Sequence, residues 1–289
     1  MSEIIGVITK KQSISDNIVK DVLDIVGGRE VRRLGEAGCE FCISKTPSFK
    51  DLETVKNLNV DINFVNKKNR EKQVVIADMD GTLIKEECLD ELAELAGITQ
   101  QVSSITKKAM RGILPFDVSI RKRAELLKGV SCDLLENCYE DRINLSAGAN
   151  TFIRTMNSRN TFTFIASGGL HFFVSRVANS LNASGFVSND IKVENKVLTG
   201  ELIFPIIDEI AKLNFIKTIC NKYSIGFENM MALGDGANDI MMLKAVGIGV
   251  AYKSKKVVKD STYIHIDYSD LTALLFLQGI SEKHFQKVY

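Results

Sequence analysis

The chain has 289 residues, 45% of them hydrophobic and 25% charged, with a formal net charge of +1. That length allows two domains and a sizeable core, and the composition is that of an ordinary soluble globular protein. No long basic run argues for a nucleic-acid partner. The apolar run Ile4–Ile8 is too short for a signal-peptide core or a membrane span, so no membrane partner is expected and a cytoplasmic location is.

Ile4–Ile8 reads as a strand and Ser15–Ile25 as a helix with apolar spacing at Ile18, Val22, Leu23 and Ile25. Glu30–Leu34 and Glu40–Ser44 read as strands around a turn at Gly35–Gly38. The second of these contains Cys39 and Cys42, a C-x-x-C with no further pair at zinc spacing, so both count as small apolar side chains. A helix over Ser48–Leu58 is capped by Thr46 or Ser48, with Pro47 in the first turn, and Val60–Val65 alternates as a last strand. The order βαββαβ predicts a small ferredoxin-like α+β module over residues 1–66. Lys67–Lys72, KKNREK, reads as an exposed linker to a second domain over 73–289.

Val74–Ala77 is a short buried strand that ends in Asp78, Asp80, Gly81 and Thr82. Two carboxylates at the end of a parallel strand lie where open α/β sheets hold their ligands, although Asp-x-Asp-Gly is also ordinary turn chemistry. Helical spacing follows through about Leu145: Leu89–Ala96 ended by Gly97, then Val102–Met110, Asp117–Leu127 and Leu134–Ile143, broken by Gly112 and Pro115. This block, about 85–145, is longer than one crossover helix needs and reads as an insertion. Alternation then returns. Helix 150–158 precedes strand Thr163–Ala166, Ser167-Gly168-Gly169 opens helix Phe172–Leu181, and Phe186–Ser188 is a third strand. Ile191–Val193 and Lys196–Leu198 flank a hairpin flap. Helix Glu209–Lys222, strand Met230–Leu233, a helix to Ala245, strand Ile248–Tyr252 and a strand near Tyr263–Ile266 complete the pattern.

Three of these strand ends carry chemistry. GDGAND, residues 234–239, holds two aspartates and an asparagine where one would suffice as a helix cap. Together with Asp78 and Asp80, Ser167 and Gly168, and Lys212, it makes a phosphoryl-transfer site. Asp78 is the candidate nucleophile and Asp80 the candidate general acid and base. Ser167, the Gly168 amide and Lys212 are candidate holders of phosphoryl oxygens. His171, His265 and His284 are far apart, so a hard, oxygen-bound ion is expected. Magnesium fits, with Asp78, Asp235 and the carbonyl of Asp80 as ligands.

DMDGT, ASGG, Lys212 and GDGAND resemble, in this order, the four motifs of the haloacid dehalogenase superfamily of phosphatases. Within it the chain is similar to members that act on phosphoserine, through ECLDELAELAG, ITKKAMRGILPFDVSIRKRAELLKG, LTG and DLTALLFLQG. The resemblance implies a doubly wound parallel sheet with a helical cap, preceded by an ACT-like ferredoxin-fold domain. It also implies magnesium-dependent hydrolysis of the small molecule O-phosphoserine to serine and phosphate through an aspartyl-phosphate, the last step of serine synthesis. Asn238 would join Ser167 and Lys212 on the phosphate. Glu87 would face the substrate ammonium and Arg123 its carboxylate, while Met110 and Phe116 would wall the pocket. Without the resemblance, Glu87 reads as a first-turn helix glutamate, Arg123 as part of a solvated face, and Met110 and Phe116 as core. Two positions depart from the pattern. Gly81 stands where phosphoserine-specific members have serine, and Leu170-His171 where an aromatic residue often follows the glycines. Another small phosphomonoester such as phosphothreonine, or a serine-sensing protein without turnover, remains an alternative. With no motif before Val74, the N-terminal module is expected to be dispensable for chemistry and is the candidate surface for a homodimer.

Overall fold

A computed structural model describes residues 4–43, 47–111 and 113–287, with the Met110 side chain outside that set. Ser44, Thr46 and Gly112 thus lie outside the described residues. The N-terminal segment runs β1 (Ile4–Thr9), α1 (Asp16–Val26), β2 (Gly28–Arg33), β3 (Gly38–Ile43), α2 (Phe49–Lys56) and β4 (Asp61–Asn66). Its strands form an antiparallel sheet in the order β2-β3-β1-β4. Ser48 caps α2: its hydroxyl accepts from the Asp51 N–H, and the Asp51 carboxylate accepts from the Ser48 N–H.

Side chains alternate across this sheet. Ile8, Cys39 and Phe41 point to α1 and α2, where Val19, Val22, Val26 and Val55 close one core. Ile5, Val7, Leu34 and Val65 belong instead to a core shared with Leu274, Phe276, Leu277 and Ile280 near the C-terminus.

The second part holds β5 (Val74–Ala77), then α3 (Cys88–Leu95), α4 (Thr99–Met110), α5 (Phe116–Leu126) and α6 (Cys132–Arg142). There follow α7 (Ala149–Ser158), β6 (Phe162–Leu170), α8 (His171–Leu181), β7 (Gly185–Glu194), β8 (Val197–Ile203), α9 (Glu209–Tyr223) and β9 (Met230–Gly234). The chain closes with α10 (Ile240–Ala245), β10 (Ile248–Tyr252), α11 (Lys256–Lys259), β11 (Ile264–Ile266) and α12 (Ala273–Leu277). The seven strands lie in the order β11-β10-β9-β5-β6-β7-β8, all parallel except β8, which returns antiparallel to β7. β5 is central and wholly buried, as a strand covered on both faces must be. Val75 and Ala77 pack towards α7, α8 and α12, and Val74 and Ile76 towards α9 and α10. The fold is α/β with a parallel sheet and a separate antiparallel N-terminal sheet, as the sequence predicts.

Helices α3 to α6 form the insertion. It leaves and re-enters the core through two adjacent backbone segments, where Ile84 bridges to Leu145, the Lys85 N–H donates to the Asn144 carbonyl and the Ser146 N–H to the Leu83 carbonyl. The β7–β8 hairpin turns at Asn195 and Lys196, both with positive φ, as a tight hairpin turn requires. Strands β6 and β7 run further than the sequence suggests, to Leu170 and Glu194. Among the described residues no helix is long and apolar enough to cross a membrane.

Polar contacts fasten the N-terminal sheet to the larger one. The buried Asp61 carboxylate accepts the backbone N–H groups of Asp267, Tyr268 and Ser269. Asn63 and the His265 backbone exchange two hydrogen bonds, each 2.9 Å long. The run Lys67–Lys72 is not solvated throughout. Arg70 is ion-paired with Glu40 at 2.6 Å, and the buried Lys72 donates from Nζ to the carbonyls of Asn69 and Glu228. Removing the module would therefore uncover Phe276, Leu277 and Ile280. Asp61→Ala is expected to cost about 3 kcal/mol, because each buried donor left without an acceptor costs about 1–3 kcal/mol. Urea denaturation measures it, and a loss below about 0.5 kcal/mol would mean that the Asp267–Ser269 amides find other acceptors.

Candidate active site

The carboxyl ends of β5, β6 and β9 meet at one edge of the parallel sheet. Asp78 leaves β5 with its N–H on the Leu233 carbonyl at 2.9 Å. The chain then makes one wide turn over Met79–Leu83. Gly81 sits there at φ +69°, and a Cβ on it would lie 3.0 Å from the Asp235 carboxyl group. The departure at this position thus coincides with a left-handed backbone in contact with the neighbouring acid. Asp80 is partly buried, and its Oδ1 accepts the Cys88 N–H at 2.8 Å in the first turn of α3.

Lys212, one turn into α9, is fully buried. Asp208 caps that helix by accepting the Ala211 N–H at 2.8 Å. The Lys212 Nζ lies 2.6 Å from Asp78 Oδ1 and 2.7 Å from Asp239 Oδ1. Asp239 Oδ2 also accepts the Gly236 N–H at 3.1 Å, and Asp235 Oδ2 receives Lys255 Nζ at 2.9 Å. Ser167, fully buried, accepts the Gly169 N–H on its Oγ at 2.9 Å. Beside it Gly168 leaves room for the Phe116 ring, which a side chain there would overlap.

Above these groups lies a cavity of about 400 Å³ between the sheet edge and the helical insertion. Asp78, Asp80, Asp235, Gly168 and Asn238 line it from the sheet side, and Glu87, Phe116 and Arg123 from the insertion. Ser167 and Lys212 lie beneath rather than on its walls. Arg123 is buried on the inner side of α5, not on a solvated face, and among the described residues its Nε has no hydrogen-bond partner. Leu170 is core and His171 exposed, and neither lines the cavity, so the second departure leaves the pocket untouched. The Met110 side chain lies outside the described residues.

Charge is unbalanced here. Six carboxylates (Asp78, Asp80, Glu87, Glu209 and Asp235 on the cavity, Asp239 on Lys212) face three cations (Lys212, Lys255, Arg123). Burial pushes the Asp78 carboxyl well above its ordinary range, and Asp239 adds to this while Lys212 opposes it. Burial also raises Asp80, against the Cys88 N–H, and takes Asp235 up to about 6, against Lys255. Glu87 rises well above its usual value through burial and the nearby Asp80 and Asp235. Burial alone would lower Lys212, but the carboxylates of Asp239 and Asp78 outweigh it and hold the ammonium charged. Burial lowers Arg123, against Glu87 and Asp90.

Oxygen ligands from Asp78, Asp235 and Asp239 all lie within 4.8 Å of one another, an all-oxygen cluster that could hold a hard divalent cation and relieve the excess charge. Asp78 and Asp235 were readable as a metal pair. Asp239 belongs to the same motif, four residues after Asp235, which alone gives it no distinct role; Lys255 has no local signal at all. Asp80 is held through Oδ1 by the Cys88 N–H while the residue lines the cavity.

Residues 72–247 match the haloacid dehalogenase-like hydrolases, and the chain belongs to that family. The family is generally magnesium-dependent. More particularly, its relatives include a phosphoserine phosphatase of Archaeoglobus fulgidus, 36% identical over 220 residues; the alignment covers 76% of this chain and 64% of that protein. A phosphoserine phosphatase of Lactococcus lactis subsp. lactis is 36% identical over 213 residues, which make up 73% of this chain and 98% of that protein. A solved haloacid dehalogenase family hydrolase of Salmonella enterica subsp. enterica serovar Typhi superposes with a TM-score of 0.84 at 29% identity, covering 96% of this chain and 98% of its own.

Lys212→Met leaves two buried carboxylates without their cation. In metal-free protein it is expected to cost about 3–5 kcal/mol, read by urea denaturation in chelator. A neutral result would mean that Asp78 and Asp239 share a proton instead.

Proposed function

We propose that the chain is a magnesium-dependent phosphatase that hydrolyses O-phosphoserine to serine and phosphate. The observation that carries this reading is the Arg123–Glu87 wall. A buried guanidinium with an unpaired Nε and a partly buried carboxylate line the same cavity as Asp78. Phosphoserine presents the complementary pair, a carboxylate for Arg123 and an ammonium for Glu87. Arg suits the first because its planar fork binds both oxygens.

In this reading Asp78 attacks phosphorus and becomes an aspartyl-phosphate while the serine oxygen departs. Asp80 gives that oxygen its proton, then takes one from the water that cleaves the acyl phosphate. Its raised affinity for protons suits the first task. Lys212, the Gly168 N–H, Asn238 and the Ser167 hydroxyl hold the non-bridging oxygens, where charge gathers in the transition state. Asp78, Asp235 and the Asp80 carbonyl would hold magnesium, with Asp239 beside them, and the ion when bound withdraws charge from the phosphoryl oxygens. Phe116 excludes water from the closed cap. The same proposal divides the chain into a module over 1–66, a linker over 67–72 and a phosphatase domain over 73–289 with its cap at about 85–145. It assigns a cytoplasmic location and gives the N-terminal sheet to a homodimer contact.

Asp78→Asn should abolish both turnover and covalent phosphate trapping, since an amide is a very poor nucleophile; a labelled phosphoenzyme in that variant would end the assignment. Exhaustive chelation should silence the wild type and magnesium restore it, and full activity in chelator would refute the metal. Arg123→Ala should lower kcat/KM for phosphoserine by roughly 30- to several-thousand-fold, the equivalent of about 2–5 kcal/mol for breaking a buried charge pair. With p-nitrophenyl phosphate, which lacks a carboxylate, the same variant should change little. Equal losses on both substrates would assign Arg123 to the fold rather than to specificity.

A further inference from the structure

One fully buried amide outside the acid cluster joins the two elements that the phosphate reading needs in register. Asn189 lies in β7 and uses its whole side chain. Its Nδ2 donates to the Gly168 carbonyl at 2.8 Å and to the Ile207 carbonyl at 3.3 Å, and its Oδ1 accepts the Ile207 N–H at 2.8 Å. Ile207 immediately precedes Asp208, the cap of α9, and the Asp208 carbonyl receives the Lys212 N–H at 2.9 Å. On the other side, the β6–β7 ladder is regular to Ala166 and resumes where Leu170 faces Asn189. Ser167, Gly168 and Gly169 occupy the gap, and there the Asn189 side chain replaces the strand ladder.

We propose that Asn189 is a positioning residue for phosphate recognition. It sets the spacing between the Ser167–Gly169 segment and the start of α9, so that the Gly168 N–H, the Ser167 hydroxyl and the Lys212 ammonium converge on one phosphoryl group. The inference rests on the phosphate site proposed above. The chemistry is demanding: two carbonyls need donors and one N–H needs an acceptor, all within reach of one short side chain. An ionised aspartate keeps the acceptor but loses both donors. Leucine keeps the volume and loses everything polar. A packing role alone would lower stability and leave ligand affinity in the folded molecule unchanged.

The test measures binding of inorganic phosphate and, separately, of serine to the full chain in magnesium by calorimetry, with wild type, Asn189→Leu, Asn189→Asp and a control, Thr163→Val. Thr163 lies at the far end of β6, where its hydroxyl donates to Asn157 at 2.8 Å, so the control loses a buried hydrogen bond on the same strand but away from the cavity. Both Asn189 variants should bind phosphate about 10- to 100-fold more weakly, the scale of a misplacement of about 1 Å in a binding constellation. Their serine affinity, set by the cap, should stay at the wild-type value, and the control should keep both affinities. Should the leucine variant not fold, the isosteric aspartate reads the same loss of donors. Wild-type phosphate affinity in a folded Asn189 variant, or parallel losses for phosphate and serine, would overturn the proposal. A wild type that binds phosphate but neither binds serine nor turns over phosphoserine would fail the substrate reading alone.

Discussion

Lys212 is enclosed by protein with its ammonium 2.6 Å from Asp78 and 2.7 Å from Asp239. The three residues come from α9, from the end of β5 and from the turn after β9, so one cation fixes three elements of the sheet edge relative to one another. Burying such a group is unfavourable unless its partners are close and well directed. Here they are, and the carboxylates hold the lysine charged against its own desolvation. One ammonium nevertheless cannot neutralise the cluster. Lys255 screens Asp235 from the solvent side, and burial still leaves Asp78, Asp80 and Asp235 with raised proton affinity. The acid cluster could hold a further cation that relieves this charge. An incoming phosphoryl group brings negative charge that Lys212 alone could meet only by releasing its carboxylates.

The N-terminal sheet is tied to this arrangement through an ordered series of contacts. Asp61 gathers the amides that follow β11. A few residues on, the Leu271 N–H donates to the Ala147 carbonyl at 3.0 Å, next to Ser146, whose own N–H holds the Leu83 carbonyl at 2.8 Å. Leu83 ends the turn that begins at Asp78. The module is therefore linked, through residues 267–271, to the two segments that carry the helical insertion, while among the described residues it contributes none to the cavity. Its apolar face completes the core under α12. A fold joined in this way shares stability between its two sheets, which is why the absence of a motif before Val74 does not make the module an appendage.

The sequence carries the sheet strands plainly because each is a short apolar run stopped by small or acidic residues. It hides what depends on distant partners. Strand β6 runs on past Ala166 through Ser-Gly-Gly, which by composition reads as a turn, and there the distant Asn189 side chain meets the Gly168 carbonyl. Helix α12, ALLFL, is apolar at every position and has no period to distinguish it from a buried strand. Arg123 could have been sorted from its basic neighbours Arg121 and Lys122. The buried stripe of α5 is Ser119, Ile120, Arg123 and Ala124, a spacing that puts only the third of these basic residues on the inner face. The Lys212 contact of Asp239 and the Gly168 contact of Asn189 have no such cue, since those partners lie 27 and 21 residues away.

The proposed acid is fastened to the cap rather than to the sheet. Asp80 is anchored by the Cys88 N–H at the first turn of α3, and Glu87, one residue earlier, is the group proposed to receive the substrate ammonium. Across the cavity the cap's Phe116 rests on Gly168, in the segment proposed to hold phosphate. In the proposed reading α3 carries the anchor of the proton donor and the ammonium contact together, and α5 carries Arg123 and the cover over the phosphate segment together. A ligand that engages Glu87 and Arg123 stabilises one placement of both helices, and so the placement of Asp80 and Phe116. A phosphate ester without the charged amino-acid end would occupy the same floor without that effect. In the proposed reading, binding energy from the remote end of the substrate is used to organise the reacting end, and discrimination and catalysis draw on the same two helices.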